Sequence, residues 1–203
     1  MLSDILSGNF TWLIALIIAI TIHEFSHAFA AERLGDPTPR LMGRLTLNPL
    51  AHLDPLGTLL MLFTRFGWGK PVQFDPFNLK NPRQDAALIS IAGPVSNLLL
   101  ATLLALFIRF TPIAYYQSII TFILPIIFMN VSLAVFNLIP VHPLDGFKVV
   151  GGILPENLAA DWYKLENMGM FLLIMILLPF GSFSLVQTII MPPINFILKV
   201  LLG

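Results

Sequence analysis

His23, Glu24 and His27, within His23-Glu24-Phe25-Ser26-His27, have the residue types and spacing for metal-assisted hydrolysis. On a helix the two histidines stand at i and i+4. Both imidazoles then leave one face and can hold one Zn2+ through neutral nitrogens. Glu24 lies one residue round, close enough to deprotonate a metal-bound water. The alternative is a helix whose histidines satisfy backbone or solvent groups near a membrane surface.

The element that must position this trio is unusual. The motif ends an apolar run that begins at Phe10 and continues to Ile22. Ionisable groups at membrane depth cost roughly 2.5–3.5 kcal/mol each on insertion scales, so a Glu and two His there call for a partner, and a metal supplies one. Of the 203 residues 57% are hydrophobic and 11% charged, and mean hydropathy is +0.85, the balance of a polytopic membrane protein. The chain reads as a single integral-membrane domain over residues 1–203, with a catalytic core at about 10–150 and C-terminal helices at about 151–203. Net charge is zero with no basic cluster, which sets nucleic acid aside. There is no cysteine, so any metal must be held by His and carboxylate. Asp4, the lack of a basic n-region and the unbroken run into the motif indicate a retained first span, not a cleaved signal peptide.

The fold class expected is all-α and polytopic, with about five transmembrane helices. The first spans Phe10–Ala31, the second Asp85–Phe110 and the third Ile113–Pro140; Asn167–Phe180 and Phe183–Leu202 are the last apolar segments. Glu32–Arg83 is rich in turns and carries one apolar stretch, Leu56–Phe66, too short to cross and suited to a re-entrant or interfacial segment. Alternation in Arg44-Leu-Thr-Leu47 and Pro71-Val-Gln-Phe74 suggests a small membrane-associated β element, able to receive an unwound substrate as an added strand. Arg33, Arg40, Arg44, Arg65, Lys70, Lys80 and Arg83 all fall between the first and second spans, whereas Arg109 stands alone beyond the second. The expected location is the cell membrane, multi-pass, with the N-terminus outside and the active site toward the cytoplasm.

That topology points to a third ligand. His23 and His27 lie toward the cytoplasmic end of a descending helix, and Asp145 arrives at the same face if Leu56–Phe66 does not cross. A zinc hydrolase uses three protein ligands and a water. The competing reading makes Asp145 the cap of a helix that begins at Pro143-Leu-Asp-Gly146.

HEFSH in a spanning helix, Gly93-Pro94-Val95-Ser96-Asn97 in a later one, and Asn137-Leu-Ile-Pro140-Val-His-Pro143-Leu-Asp-Gly146 together resemble the site-2 protease family of intramembrane zinc metalloproteases. Gly43-Arg-Leu-Thr-Leu-Asn-Pro-Leu-Ala-His-Leu-Asp-Pro-Leu-Gly57 and Gly67-Trp-Gly-Lys-Pro71 resemble its compact prokaryotic members. The resemblance implies that His23, His27 and Asp145 bind one Zn2+ per chain and that Glu24 is the catalytic base. It suggests that Asn97 faces the site and holds substrate backbone or a developing oxyanion, against the reading in which it bonds helix to helix. Asn137 partners the irregular Pro140–Pro143 backbone or adds a second polar group at the site; His52 and His142 are read as surface residues or as supports behind the ligands. The implied function is intramembrane endopeptidase action within or near transmembrane segments, in regulated intramembrane proteolysis. The implied partners are a membrane-protein substrate and the bilayer; oligomeric state is unread. A metal transporter or a catalytically inactive scaffold are the rival classes.

Overall fold

The computed structural model describes residues 10–64, 67–178 and 184–203. It is 78% helical. The first helix, α1 (Phe10–Leu34), meets no Gly or Pro over its length and is apolar all round from Trp12 to Ile20. It ends where glycine permits a left-handed residue: Gly35 has φ +107, and the Asp36 N–H reaches back to the Ala31 carbonyl at 2.9 Å, a 6→1 closure. A short helix α2 (Thr38–Leu41) and α3 (Pro55–Thr64) follow. Next come α4 (Pro82–Phe110) and α5 (Gln117–Asn137). Three short helices, α6 (Asp145–Ile153), α7 (Glu156–Lys164) and α8 (Glu166–Leu177), precede a π-helical turn at Val186–Ile190 that leads into α9 (Met191–Leu202).

Three helices are long and apolar enough to cross a membrane: Thr11–Leu34, Pro82–Phe110 and Gln117–Asn137. The five expected spans are therefore matched by three among the described residues. At 1.5 Å per residue, the twelve residues of α8 reach only about 18 Å. The Val186–Leu202 stretch is longer, at about 25 Å, but it too falls below the length of the three long helices. It opens with a π turn in which the Met191 N–H passes to the Val186 carbonyl, next to Pro192 and Pro193, which donate nothing to the carbonyls behind them.

α4 is the central post, packing on α1, α5 and α6, and α1 also packs on α5. Ala101 and Ala105 of α4, Ile123, Ile127 and Val131 of α5, and Ile190 and Ile194 form the main buried cluster. Small residues bring α6 close. A Cβ on Gly152 would strike Ala87 of α4, and one on Gly146 would strike the Leu138 carbonyl. The Arg83 guanidinium caps the C-terminus of α6 through the Leu154 carbonyl, with the Gly151 carbonyl at 3.3 Å. The helix that carries Asp145 is thus fixed against the helix that faces the two histidines.

The expected β element is not formed among the described residues, where the one bridge pairs Leu53 with Gly69. Arg44 explains the difference. Its Nη2 donates to the Lys70 carbonyl and, at 2.9 Å, to the Pro71 carbonyl, the acceptors a partner strand would have used. Residues 70–75 run as an extended strap held by side chains instead.

Candidate active site

His23 and His27 are buried in the second half of α1, and Asp145 is the first residue of α6. Asp145 makes no capping bond; the carboxylate turns toward the imidazoles, with Oδ2 at 3.0 Å from His23 Nε2 and 3.2 Å from His27 Nε2. One ligand atom from each of the three lies within 4.8 Å of the others, forming a group that could hold a metal ion. Gly93 makes the space, because a Cβ there would stand 2.5 Å from His27 Nε2 and 2.7 Å from His23 Cε1.

The far side of each ring fixes which nitrogen faces the group. His27 Nδ1 lies 2.7 Å from the Ile89 carbonyl, which only accepts, so Nδ1 carries a proton. His23 Nδ1 lies 2.7 Å from Asn97 Oδ1 and donates to it likewise. Each neutral ring then points the bare lone pair of Nε2 at Asp145 Oδ2, a buried oxygen without a hydrogen-bond donor. Three acceptors converging with no hydrogen between them repel unless a cation sits among them. Two imidazoles and a carboxylate match the catalytic zinc donor set.

Asn97 meets a different arrangement from the oxyanion role expected of it. It is fully buried, and its Nδ2 donates to the Ala19 carbonyl at 2.9 Å and to Asn130 Oδ1 at 2.8 Å. Both amide hydrogens are engaged, leaving none for an oxyanion. The helix-to-helix reading describes these contacts, since one amide ties α1 to α4 and α5, and the same side chain also holds His23.

Glu24 is half-buried, and its Oε2 accepts the Val72 N–H at 2.9 Å. The strap that supplies this amide is pinned along its length. The Lys70 N–H bonds the His52 carbonyl at 2.8 Å, Lys148 of α6 lies 4.7 Å above the Phe74 ring, and the Asp75 N–H bonds Asp36 Oδ2 at 2.7 Å. Asp36 is fully buried and also takes the Thr38 N–H, the Thr38 hydroxyl and the Asn78 amide. Burial alone would raise its pKa, but hydrogen bonds from Thr38, Asn78 and Asp75 outweigh that and hold the carboxyl below its usual value.

The other candidates are placed elsewhere. His52, read as a surface residue or ligand support, is fully buried in the loop, where its Nε2 donates to the Thr46 carbonyl at 2.7 Å. His142 is 3.6 Å from Glu166 and edge-on to Phe147. Asn137 turns back on its own helix, donating to the Leu133 carbonyl at 3.0 Å. Two participants escaped the sequence reading. Val72 acts through its backbone, which no side-chain pattern reveals. Asn130 is a polar residue inside an apolar helix, the same signal that marked Asn97.

Comparison with known proteins agrees with this geometry. The profile of Peptidase family M50 matches residues 11–115 and 111–180. The chain is 39% identical over 181 residues to the Bacillus subtilis (strain 168) protein named "Putative zinc metalloprotease YwhC", covering 85% of this chain and 82% of that protein. It is 34% identical over 184 residues to "Putative zinc metalloprotease Rip2" of Mycobacterium tuberculosis (strain ATCC 25618 / H37Rv), covering 85% and 69%. It is 23% identical over 157 residues to a zinc metalloprotease of Methanocaldococcus jannaschii, covering 76% and 38%. No solved structure matches the chain at a significant level. With its apolar helices and its His, His, Asp group, the chain belongs to peptidase family M50, the site-2 proteases, and is a membrane zinc metalloprotease.

Proposed function

We propose that this protease cleaves peptide bonds within or near transmembrane segments of membrane proteins, in regulated intramembrane proteolysis, using one zinc held by His23, His27 and Asp145. The observation that carries the reading is the convergence of His23 Nε2, His27 Nε2 and Asp145 Oδ2 at the second half of a helix long enough to span. Bound zinc supplies Lewis acidity at the scissile carbonyl and makes water a better acid. Glu24 takes the proton from the attacking water and returns it to the leaving amine. Its Oε2 is steadied by Val72, and its Oε1 has no hydrogen-bond partner among the described residues, leaving that oxygen for water. A helical substrate hides its carbonyls in i to i−4 bonds, so it unwinds locally before attack, and helix-weakening residues near the cut favour cleavage.

In the proposed topology the N-terminus is outside the cell membrane and the site opens toward the cytoplasm. α3 does not cross, since its ten residues reach only about 15 Å. α8 and the Val186–Leu202 stretch are further membrane segments. Single cysteines at Thr46 and Gln73 test this, because the chain has no native thiol. Both are expected to label only after the cytoplasmic face is opened; labelling of the Gln73 site from outside would put Asp145 on the wrong face.

The activity is tested in proteoliposomes carrying a single-span substrate. Glu24→Gln is expected to abolish cleavage while zinc content stays equal to wild type. A transporter or an inactive scaffold would show no zinc-dependent cleavage by the wild-type protein.

A further inference from the structure

We propose that Asn130, on α5, is a positioning residue for zinc binding by His23, acting through Asn97 to fix the imidazole in one tautomer. This rests on the zinc reading above and extends it to a residue that touches neither metal nor substrate.

The Ile126 carbonyl can only accept, and Asn130 lies one turn after it with Nδ2 at 2.8 Å, so that contact takes the amino end of the Asn130 amide. Its other end, Oδ1, is thereby presented to Asn97 Nδ2 at 2.8 Å. The Ala19 carbonyl accepts from the same Nδ2 at 2.9 Å. Asn97 therefore has both hydrogens held, one by α1 and one by α5, and its Oδ1 faces His23 Nδ1 at 2.7 Å. His23 must donate there, which leaves the Nε2 lone pair for the metal.

Ala19 alone would satisfy one Asn97 hydrogen and leave the other unpaired in a buried site. Asn97 and Asn130 are both fully buried, so no solvent stands ready to take the vacated bond. Without Asn130 the Asn97 amide is held by Ala19 alone and flips more readily as a unit, which puts Nδ2 against His23 Nδ1, donor against donor, and favours the tautomer that cannot ligate through Nε2. Asn130 closes that route. The effect is one bond further from the metal than that of Asn97, so it is expected to be smaller.

The test is zinc affinity of the purified full chain, by competition with a chelator, for wild type, Asn97→Leu, Asn130→Leu and the double variant. Loss of an outer hydrogen-bond partner weakens metal binding by roughly 10- to 100-fold. Asn97→Leu is expected near the upper end and Asn130→Leu near the lower. The double variant should be no weaker than Asn97→Leu, because Asn130 works only through Asn97. Asn130→Asp keeps an acceptor for Asn97 and, protonated in this burial, a donor for Ile126, so it should bind within about twofold of wild type. If Asn130→Leu does not fold, Asn130→Ala provides the same deletion. Wild-type affinity in the Asn130 deletion, or losses that multiply in the double variant, would overturn the proposal and leave the zinc site standing. Absence of zinc binding by the wild-type protein would remove both.

Discussion

His23 is held from inside the helix bundle, by Asn97 of α4 with Asn130 of α5 behind it, whereas Glu24, its neighbour in sequence, is held from outside by the Val72 amide of a loop. The inner support consists of side-chain amides fully buried between spanning helices, which rigid packing keeps in register. The outer support is one backbone N–H on an extended strap. That strap depends on Arg44, His52, Lys148 and Asp36 for its course. Metal ligation tolerates little displacement, while a base that must receive water and pass a proton has to face a space substrate can enter. The division predicts that damage inside the bundle appears first as lost zinc, and damage to the strap as slower turnover at full zinc.

The largest effect is expected where the two sides meet the metal directly. Asp145→Ala removes one of the three proposed donors and is expected to lower zinc content and cleavage together, while His142→Ala is expected to retain zinc. Equal zinc in wild type and Asp145→Ala, by metal analysis, would break the comparison at its root. Glu24→Gln comes next: general acid–base catalysis contributes about 10²- to 10⁴-fold, so kcat should fall by that order with zinc unchanged.

Val72→Pro sharpens the outer half. It deletes the N–H that Glu24 Oε2 accepts and leaves the carboxylate in place. A misplaced base typically loses tens of fold in rate, so kcat is expected to fall by roughly 10- to 100-fold, with zinc affinity that of wild type. Val72→Ala, which keeps the amide, should behave as wild type. Zinc loss in the proline variant would mean that the strap supports the metal side too.

The grouping of His23, His27 and Asp145 was legible because helix period and membrane parity are long-range rules. Spacing of i and i+4 put His23 and His27 on one face, and counting crossings brought Asp145 to them. The strap was not legible, since alternation in Arg44–Leu47 and Pro71–Phe74 satisfies a strand pattern equally well. What decided it was a buried guanidinium taking the Lys70 and Pro71 carbonyls, a contact across a long loop that periodicity does not carry. Asn97 was singled out as polar within an apolar helix. Its role depends on which end of the amide faces His23, and that is set by the Ala19 carbonyl and by Asn130 on other helices. The two C-terminal segments were read as full spans from apolar length alone, which does not register a π turn beside two prolines; among the described residues they form shorter apolar helices.

The smallest effect concerns the anchor at the far end of the strap. Asp36 lies outside the spans and receives four hydrogen bonds, two of them from Asp75 and Asn78 at the end of the strap. Its folded pKa lies below its unfolded value of about 3.9, so the carboxylate contributes stability that is fully present above that pH and is lost as pH falls through the lowered folded value. Across neutral pH the anchor should be constant, and any change in turnover there must come from other groups. Asp36→Asn must turn its amino group either toward the Asp75 N–H, at the Oδ2 position, or toward the Thr38 and Asn78 donors, at the Oδ1 position, leaving a buried donor unpaired at about 1–3 kcal/mol. Thermal unfolding in detergent should show a lower midpoint for the variant at pH 7, with the gap to wild type closing below about pH 4 as the native carboxyl protonates. Hydrogen exchange should quicken across residues 70–78, with the Asn97 and Asn130 helices unaffected. A gap that persists unchanged at pH 3, or faster exchange in α4 and α5, would show that Asp36 stabilises the bundle as a whole and that inner and outer supports are not separate.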